Sequence, residues 1–139
     1  MEIVIDASVA VKWFIEEPGT AAAKEHLGSE ARLVAPDLVV AEVCNALWAR
    51  VRRSGIEEMQ ARVAVDLVAR CYEELVPAAS LRERAFAMAL ELGHPVYDCF
   101  YLALAERRRT QLVTADSRLL TRLKGSPFLR LMQPLAVAS

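Results

Sequence analysis

The chain has 139 residues, 55% hydrophobic and 25% charged, with 5 glycines and 6 prolines, the composition of one compact domain that buries its own core. Disordered, collagen-like and flexible-linker architectures are thereby excluded. A formal net charge of −1 excludes a domain that coats nucleic acid by charge alone, and three widely spaced cysteines with two histidines leave no thiolate or multi-histidine metal site.

The first six residues, Met1-Glu2-Ile3-Val4-Ile5-Asp6, hold no basic leader, and the longest stretch without a charge is the nine residues from Leu131 to Ser139. Neither a secretory leader nor a membrane span is expected, and the expected location is the cytoplasm. Residues 3–5 read as a β-branched strand, followed by a helix over 7–17 that stops at Pro18-Gly19. A second helix is expected over 20–27, a strand over 33–35, and a long helix from Pro36-Asp37 to Arg53, ended by Gly55. Ile56, Met59, Val63, Leu67 and Cys71 then form a stripe at spacings of three and four, the core-facing side of an amphipathic helix. Leu75-Val76 is a candidate strand, and Ser80-Leu81-Arg82-Glu83 a capping box opening a helix that Gly93-His94-Pro95 ends. A helix over 97–109, a strand over 111–115, a short helix over 117–124 and a strand over 128–132 complete the chain. Alternating strands and helices imply an α/β sandwich, a parallel sheet of four to five strands covered on both faces, with sites at the carboxyl ends of strands.

Charge is distributed unevenly: residues 1–49 sum to −5, 50–99 to −1 and 100–139 to +5, and 14 of the 17 basic residues are Arg. Arg50, Arg52, Arg53 and the run Arg107-Arg108-Arg109 have two readings, phosphate contacts through the planar guanidinium fork or cations complementing helix carboxyl ends.

Acidic residues carry the chemistry. Asp6 and Asp116 each directly follow a strand, and Asp98 opens a helix after Pro95, so each also suits a helix N-cap. Glu42 cannot be a cap; within its helix it lies with Asn45 opposite the face of Val40, Val43, Leu47 and Val51. Taken together, carboxylates on a rigid sheet supply the hard oxygen ligands that Mg²⁺ or Mn²⁺ needs, with positions left for water and phosphate.

Four segments, Val4-Ile5-Asp6-Ala7-Ser8-Val9-Ala10-Val11-Lys12-Trp13, Glu42-Val43-Cys44-Asn45-Ala46-Leu47, Tyr97-Asp98-Cys99-Phe100-Tyr101-Leu102-Ala103-Leu104-Ala105 and Thr114-Ala115-Asp116-Ser117-Arg118-Leu119-Leu120, occur in that order across nearly the whole chain. In this the sequence resembles the PIN-domain ribonucleases, specifically the VapC toxins of toxin–antitoxin pairs. The resemblance implies a single PIN domain over residues 1–139 and a metal-dependent endoribonuclease. It also implies an acidic metal site of Asp6, Glu42, Asp98 and Asp116, with Ser8, Asn45 and Thr114 orienting them. Mg²⁺ or Mn²⁺ would be the cofactor, RNA the substrate, and a cognate antitoxin and a second copy of the chain the partners. Competing readings are an RNA-processing PIN nuclease without an antitoxin, a catalytically silent scaffold, and a phospho-accepting receiver domain. The receiver reading lacks both the acidic pair after the first strand and a Lys after a late strand, since Ala7 follows Asp6 and Lys124 falls in a helix.

Overall fold

The structure is a computed structural model and describes residues 1–136. Five parallel strands, β1 (Glu2–Ile5), β2 (Arg32–Pro36), β3 (Glu74–Val76), β4 (Leu112–Thr114) and β5 (Met132–Pro134), form one sheet in the order β3-β2-β1-β4-β5. The register sets Ile3 beside Leu33 and Ile5 beside Val113. Central strands of such a sheet are covered on both faces and read as continuous apolar runs, which is why Ile3, Val4 and Ile5 are all buried. A receiver domain has the order 2-1-3-4-5, so the observed order removes that reading.

Around the sheet lie α1 (Ala7–Ala10), α2 (Thr20–Leu27), α3 (Leu38–Arg52), α4 (Glu58–Leu67), α5 (Arg82–Leu92), α6 (Val96–Arg108) and α7 (Ser117–Leu123). The apolar body of α6 packs on β1, β2 and β4, with α5 against its other side; α1 packs on β4 and α3 on β2. Among the described residues no helix is long and apolar enough to cross a membrane.

Several local expectations are corrected. The helix expected over 7–17 is one α turn followed by a 3₁₀ turn, Val11–Trp13, because the Trp13 indole N–H donates to the Ala23 carbonyl at 2.9 Å and draws the chain beneath α2. The capping box at Ser80 does not form: Ser80 Oγ donates to the Pro77 carbonyl at 2.7 Å within a 3₁₀ turn, and α5 starts at Arg82 without a side-chain cap. The last strand falls at Met132–Pro134 rather than 128–132, since Phe128 and Leu131 are buried around a 3₁₀ turn before it.

On α4 the expected apolar stripe faces outward. Met59 is 69% and Val63 49% exposed, while Ala61, Ala64 and Val68 form the buried arc. Small alanines let α4 approach α3 closely, and the larger side chains are left on the outer side.

The basic run at the end of α6 is at the wrong end of the sheet for a site at the strand carboxyl ends. Arg108 spans Glu2 and Glu74, the first residues of β1 and β3, with Nη–Oε distances of 2.9 to 3.0 Å, and Arg107 donates to the Ser80 carbonyl at 2.6 Å. Arg50 is likewise committed, to Glu17.

Candidate active site

From β1 the chain builds outward to β2 and β3, then returns to the other side of β1 to lay down β4 and β5. A crevice outside the carboxyl ends of β1 and β4 follows from that reversal. Asp6 is the first residue beyond β1, and Thr114 ends β4, with Asp116 two residues on.

Asp6 is only 4% exposed, and its Oδ1 accepts from Ser8 Oγ at 2.6 Å and from the Val9 amide at 3.2 Å, so it does cap α1. Ser8 Oγ also accepts from the Ala115 amide at 2.9 Å and lies 3.3 Å from Thr114 Oγ1, which itself accepts from the Asp116 amide at 3.1 Å. One serine thereby ties the end of β1 to the end of β4. Burial pushes the Asp6 carboxyl up to about 7; hydrogen bonds from Ser8, Thr114 and Val9 pull it down, and the negative charge of Asp98 pushes it further up.

Glu42 projects from α3 and is half-buried. The phenol of Tyr101, on α6 and 1% exposed, donates to Glu42 Oε1 at 2.5 Å. Burial raises the Glu42 carboxyl above its ordinary value, the Tyr101 hydrogen bond lowers it, and Asp98 raises it. Burial and the Glu42 charge in turn raise the Tyr101 hydroxyl, so it stays a donor at neutral pH. Asp98 is the third residue of α6, where Pro95 occupies the flanking position, and it is not a cap. His94 Nε2 lies 2.6 Å from its Oδ2, which turns Asp98 toward the residue one turn before it.

Asp116 caps α7, its Oδ1 accepting from the Arg118 amide at 2.9 Å and the Leu119 amide at 3.4 Å. Cap and site are compatible roles, because capping engages one oxygen. Asn45 lines the same groove as Glu42 but makes no side-chain hydrogen bond to a carboxylate among the described residues, unlike Ser8. His94 and Tyr101 were not singled out by sequence; their signal is the spacing of four before and three after Asp98.

Asp98 is thus coupled by charge to both Asp6 and Glu42, and none of the three forms an ion pair with Lys or Arg among the described residues. Nor do three His, Cys, Asp or Glu side chains there form a ready-made metal cage. Tyr101, His94 and the α7 amides each engage one carboxylate oxygen, of Glu42, Asp98 and Asp116 respectively. The donor set still fits a hard divalent ion, since Mg²⁺ commonly takes one or two protein carboxylates and keeps its waters, and Asp6 is a buried acid lacking a compensating cation. Cys99 is a poor competitor for metal, because burial and the Asp98 charge push its thiol up to about 11.

The family model for the PIN domain matches residues 3–125. Ribonuclease VapC3 of Pyrobaculum aerophilum is 32% identical over 121 residues, covering 86% of this chain and 92% of that protein. Ribonuclease VapC1 of Mycobacterium tuberculosis is 34% identical over 120 residues, covering 85% and 88%. Among solved structures, that of PAE2754 from Pyrobaculum aerophilum superposes with a TM-score of 0.70 at 26% identity, over 94% of this chain and 96% of that one. A toxin–antitoxin complex from Klebsiella pneumoniae shares the fold, with a TM-score of 0.66 at 16% identity over 99% and 100%. With the strand order, the crevice acids and these likenesses in agreement, the chain belongs to the PIN-domain family and, within it, to the VapC group.

Proposed function

We propose that this protein is a divalent-metal-dependent endoribonuclease, the toxin of a type II toxin–antitoxin pair, acting through Asp6, Glu42, Asp98 and Asp116. The observation that carries this reading is the carboxyl of Asp6, 4% exposed at the end of β1 where the strand order reverses, which like Glu42 and Asp98 has no Lys or Arg ion-pair partner among the described residues. Mg²⁺ or Mn²⁺ at these carboxylates supplies Lewis acidity toward a phosphodiester and lowers the pKa of water. Asp6, Glu42 and Asp98 would hold the ion, directly or through the waters it keeps, and Asp116 would contribute directly or through water. Ser8 fixes one Asp6 oxygen, Tyr101 holds Glu42 and His94 restrains Asp98, so each acid's orientation is set by a neighbouring side chain before any ion would bind. Burial favours the protonated Asp6 carboxyl in the metal-free protein below about pH 7, and a divalent ion held there would favour the carboxylate instead.

Membership of the VapC group supports a cognate antitoxin as partner. The outward apolar side chains Trp48, Met59 and Val63, at 60%, 69% and 49% exposure, line the outer faces of α3 and α4 and suit an amphipathic antitoxin segment. A homodimer of PIN domains in the cytoplasm completes the proposal. The test is induced expression without antitoxin, with sequencing of RNA 5′ ends. Growth arrest with new, reproducible 5′ ends that vanish in the Asp98→Asn variant is the expected result, and unchanged RNA ends in arrested cells would contradict it.

A further inference from the structure

Two grooves flank the acidic crevice, and their cations differ. The groove beside Glu42 contains Lys12 and Arg50, but Glu17 takes both, at 3.1 Å and 2.5 Å. The second groove, about 800 Å³, lies between His94-Pro95 at the start of α6 and the helix α7. Arg118, Arg122 and Lys124 line it, all three exposed, and among the described residues none of them pairs with a carboxylate. Arg118 and Arg122 stand one helical turn apart, about 6 Å along the axis, on the same side of α7. Like charges at that spacing repel, so the fold gains nothing from placing them there unneutralised.

The groove's position supplies the reason. Its wall includes His94, which holds Asp98, and its helix begins at Asp116, so a polyanion lying in it reaches the acidic crevice at one end. A chain whose net charge is −1 cannot hold RNA by diffuse attraction and needs a local cationic track. We propose that this groove binds the sugar–phosphate backbone of the RNA strand, with Arg118, Arg122 and Lys124 engaging successive phosphates to one side of the one cut. The assignment rests on the ribonuclease reading and moves the phosphate contacts from Arg107-Arg108-Arg109 to α7. Arginine forks suit phosphate bidentately, while Lys124 acts as a point charge.

The test is binding of a labelled single-stranded RNA oligonucleotide in EDTA, across a salt series, together with cleavage of the same RNA in Mg²⁺ or Mn²⁺. Replacing Arg118, Arg122 and Lys124 by Gln should reduce the slope of log affinity against log salt by about 2, since each single-strand phosphate contact contributes about 0.7. At 0.1 M salt that slope change corresponds to about 100-fold weaker binding, taking 1 M as the point where the contribution vanishes. Arg122→Gln alone should reduce the slope by about 0.7, and Arg107→Gln should leave it at the parent's value. A triple variant with the parent's slope, while the parent binds and cuts RNA, would overturn the groove and leave the nuclease reading standing. So would Arg107→Gln losing as much as the triple variant. Dependence on these cations for binding polyglutamate but not RNA would assign the groove to an acidic protein segment and also overturn the proposal. A parent that neither binds nor cuts RNA would overturn both readings.

Discussion

Replacing Asp6 by Asn tests the site through stability alone. The Asp6 carboxyl ordinarily titrates at 3.8 and is pushed up to about 7 in the fold, chiefly by burial, at 4% exposure. A raised acid gives a contribution fully present below pH 3.8 and lost as pH rises through about 7, because only the folded form then resists ionisation. At 1.36 kcal/mol per pKa unit, the metal-free parent should lose about 4 kcal/mol across that window from this residue. Asn does not titrate, and its Oδ1 can still accept from Ser8 and Val9. Allowing about 1 kcal/mol for the weaker neutral hydrogen bonds, Asp6→Asn should be more stable than the parent by about 3 kcal/mol at pH 8, and no more stable at pH 4. For a domain of this size that is roughly a 10 °C rise in Tm. Thermal unfolding by circular dichroism in EDTA at pH 4 to 8 measures it. Equal Tm values at pH 8, with parallel pH dependence, would refute a buried, uncompensated carboxylate at Asp6.

Other perturbations separate position from charge. Asp98→Ala removes repulsion toward Asp6 and Glu42 but also loses the His94 contact and a first-turn acid of α6, so its metal-free Tm should stay within a few degrees of the parent's, while cleavage and the stabilisation by Mg²⁺ or Mn²⁺ disappear. A variant that keeps the metal-dependent rise shows that Asp98 is no ligand. Tyr101→Phe deletes the hydrogen bond that lowers the Glu42 carboxyl, so the acid limb of the cleavage pH profile should move to higher pH; an unmoved limb refutes the presenting role of Tyr101. Arg108→Ala breaks the pairs to Glu2 and Glu74 and should cost about 1–2 kcal/mol by urea unfolding with cleavage per folded molecule unchanged.

What the sequence shows and withholds follows from the range of the forces involved. Ile3-Val4-Ile5 and the strand before Asp116 were legible because a doubly covered strand has no polar face. The four acids were legible as motifs, but their supports were not. His94 reads as part of a helix stop, and the phenol of Tyr101 disappears into an apolar helix body; their roles depend on where α6 begins and on where α3 brings Glu42. On α4, Met59-Val63-Leu67 and Ala61-Ala64-Val68 are rival arcs of one helix, and periodicity cannot tell which meets α3 when close approach favours the smaller residues. Neither the phosphate reading nor the helix-end reading of Arg108 contains its ion pairs, because one of its partners, Glu2, lies 106 residues away in sequence. Local pattern locates charge; only the fold reveals which charges are already neutralised.

The central claim, a nuclease centre built on Asp6, Glu42 and Asp98, is tested most directly by a metal titration of RNA cleavage with the purified protein. Cleavage should be absent in EDTA, return on addition of Mg²⁺ or Mn²⁺, and fail to return in Asp6→Asn or Asp98→Asn even though both variants fold. Undiminished cleavage by the parent in excess EDTA, or parent-like cleavage by either folded variant, would contradict it.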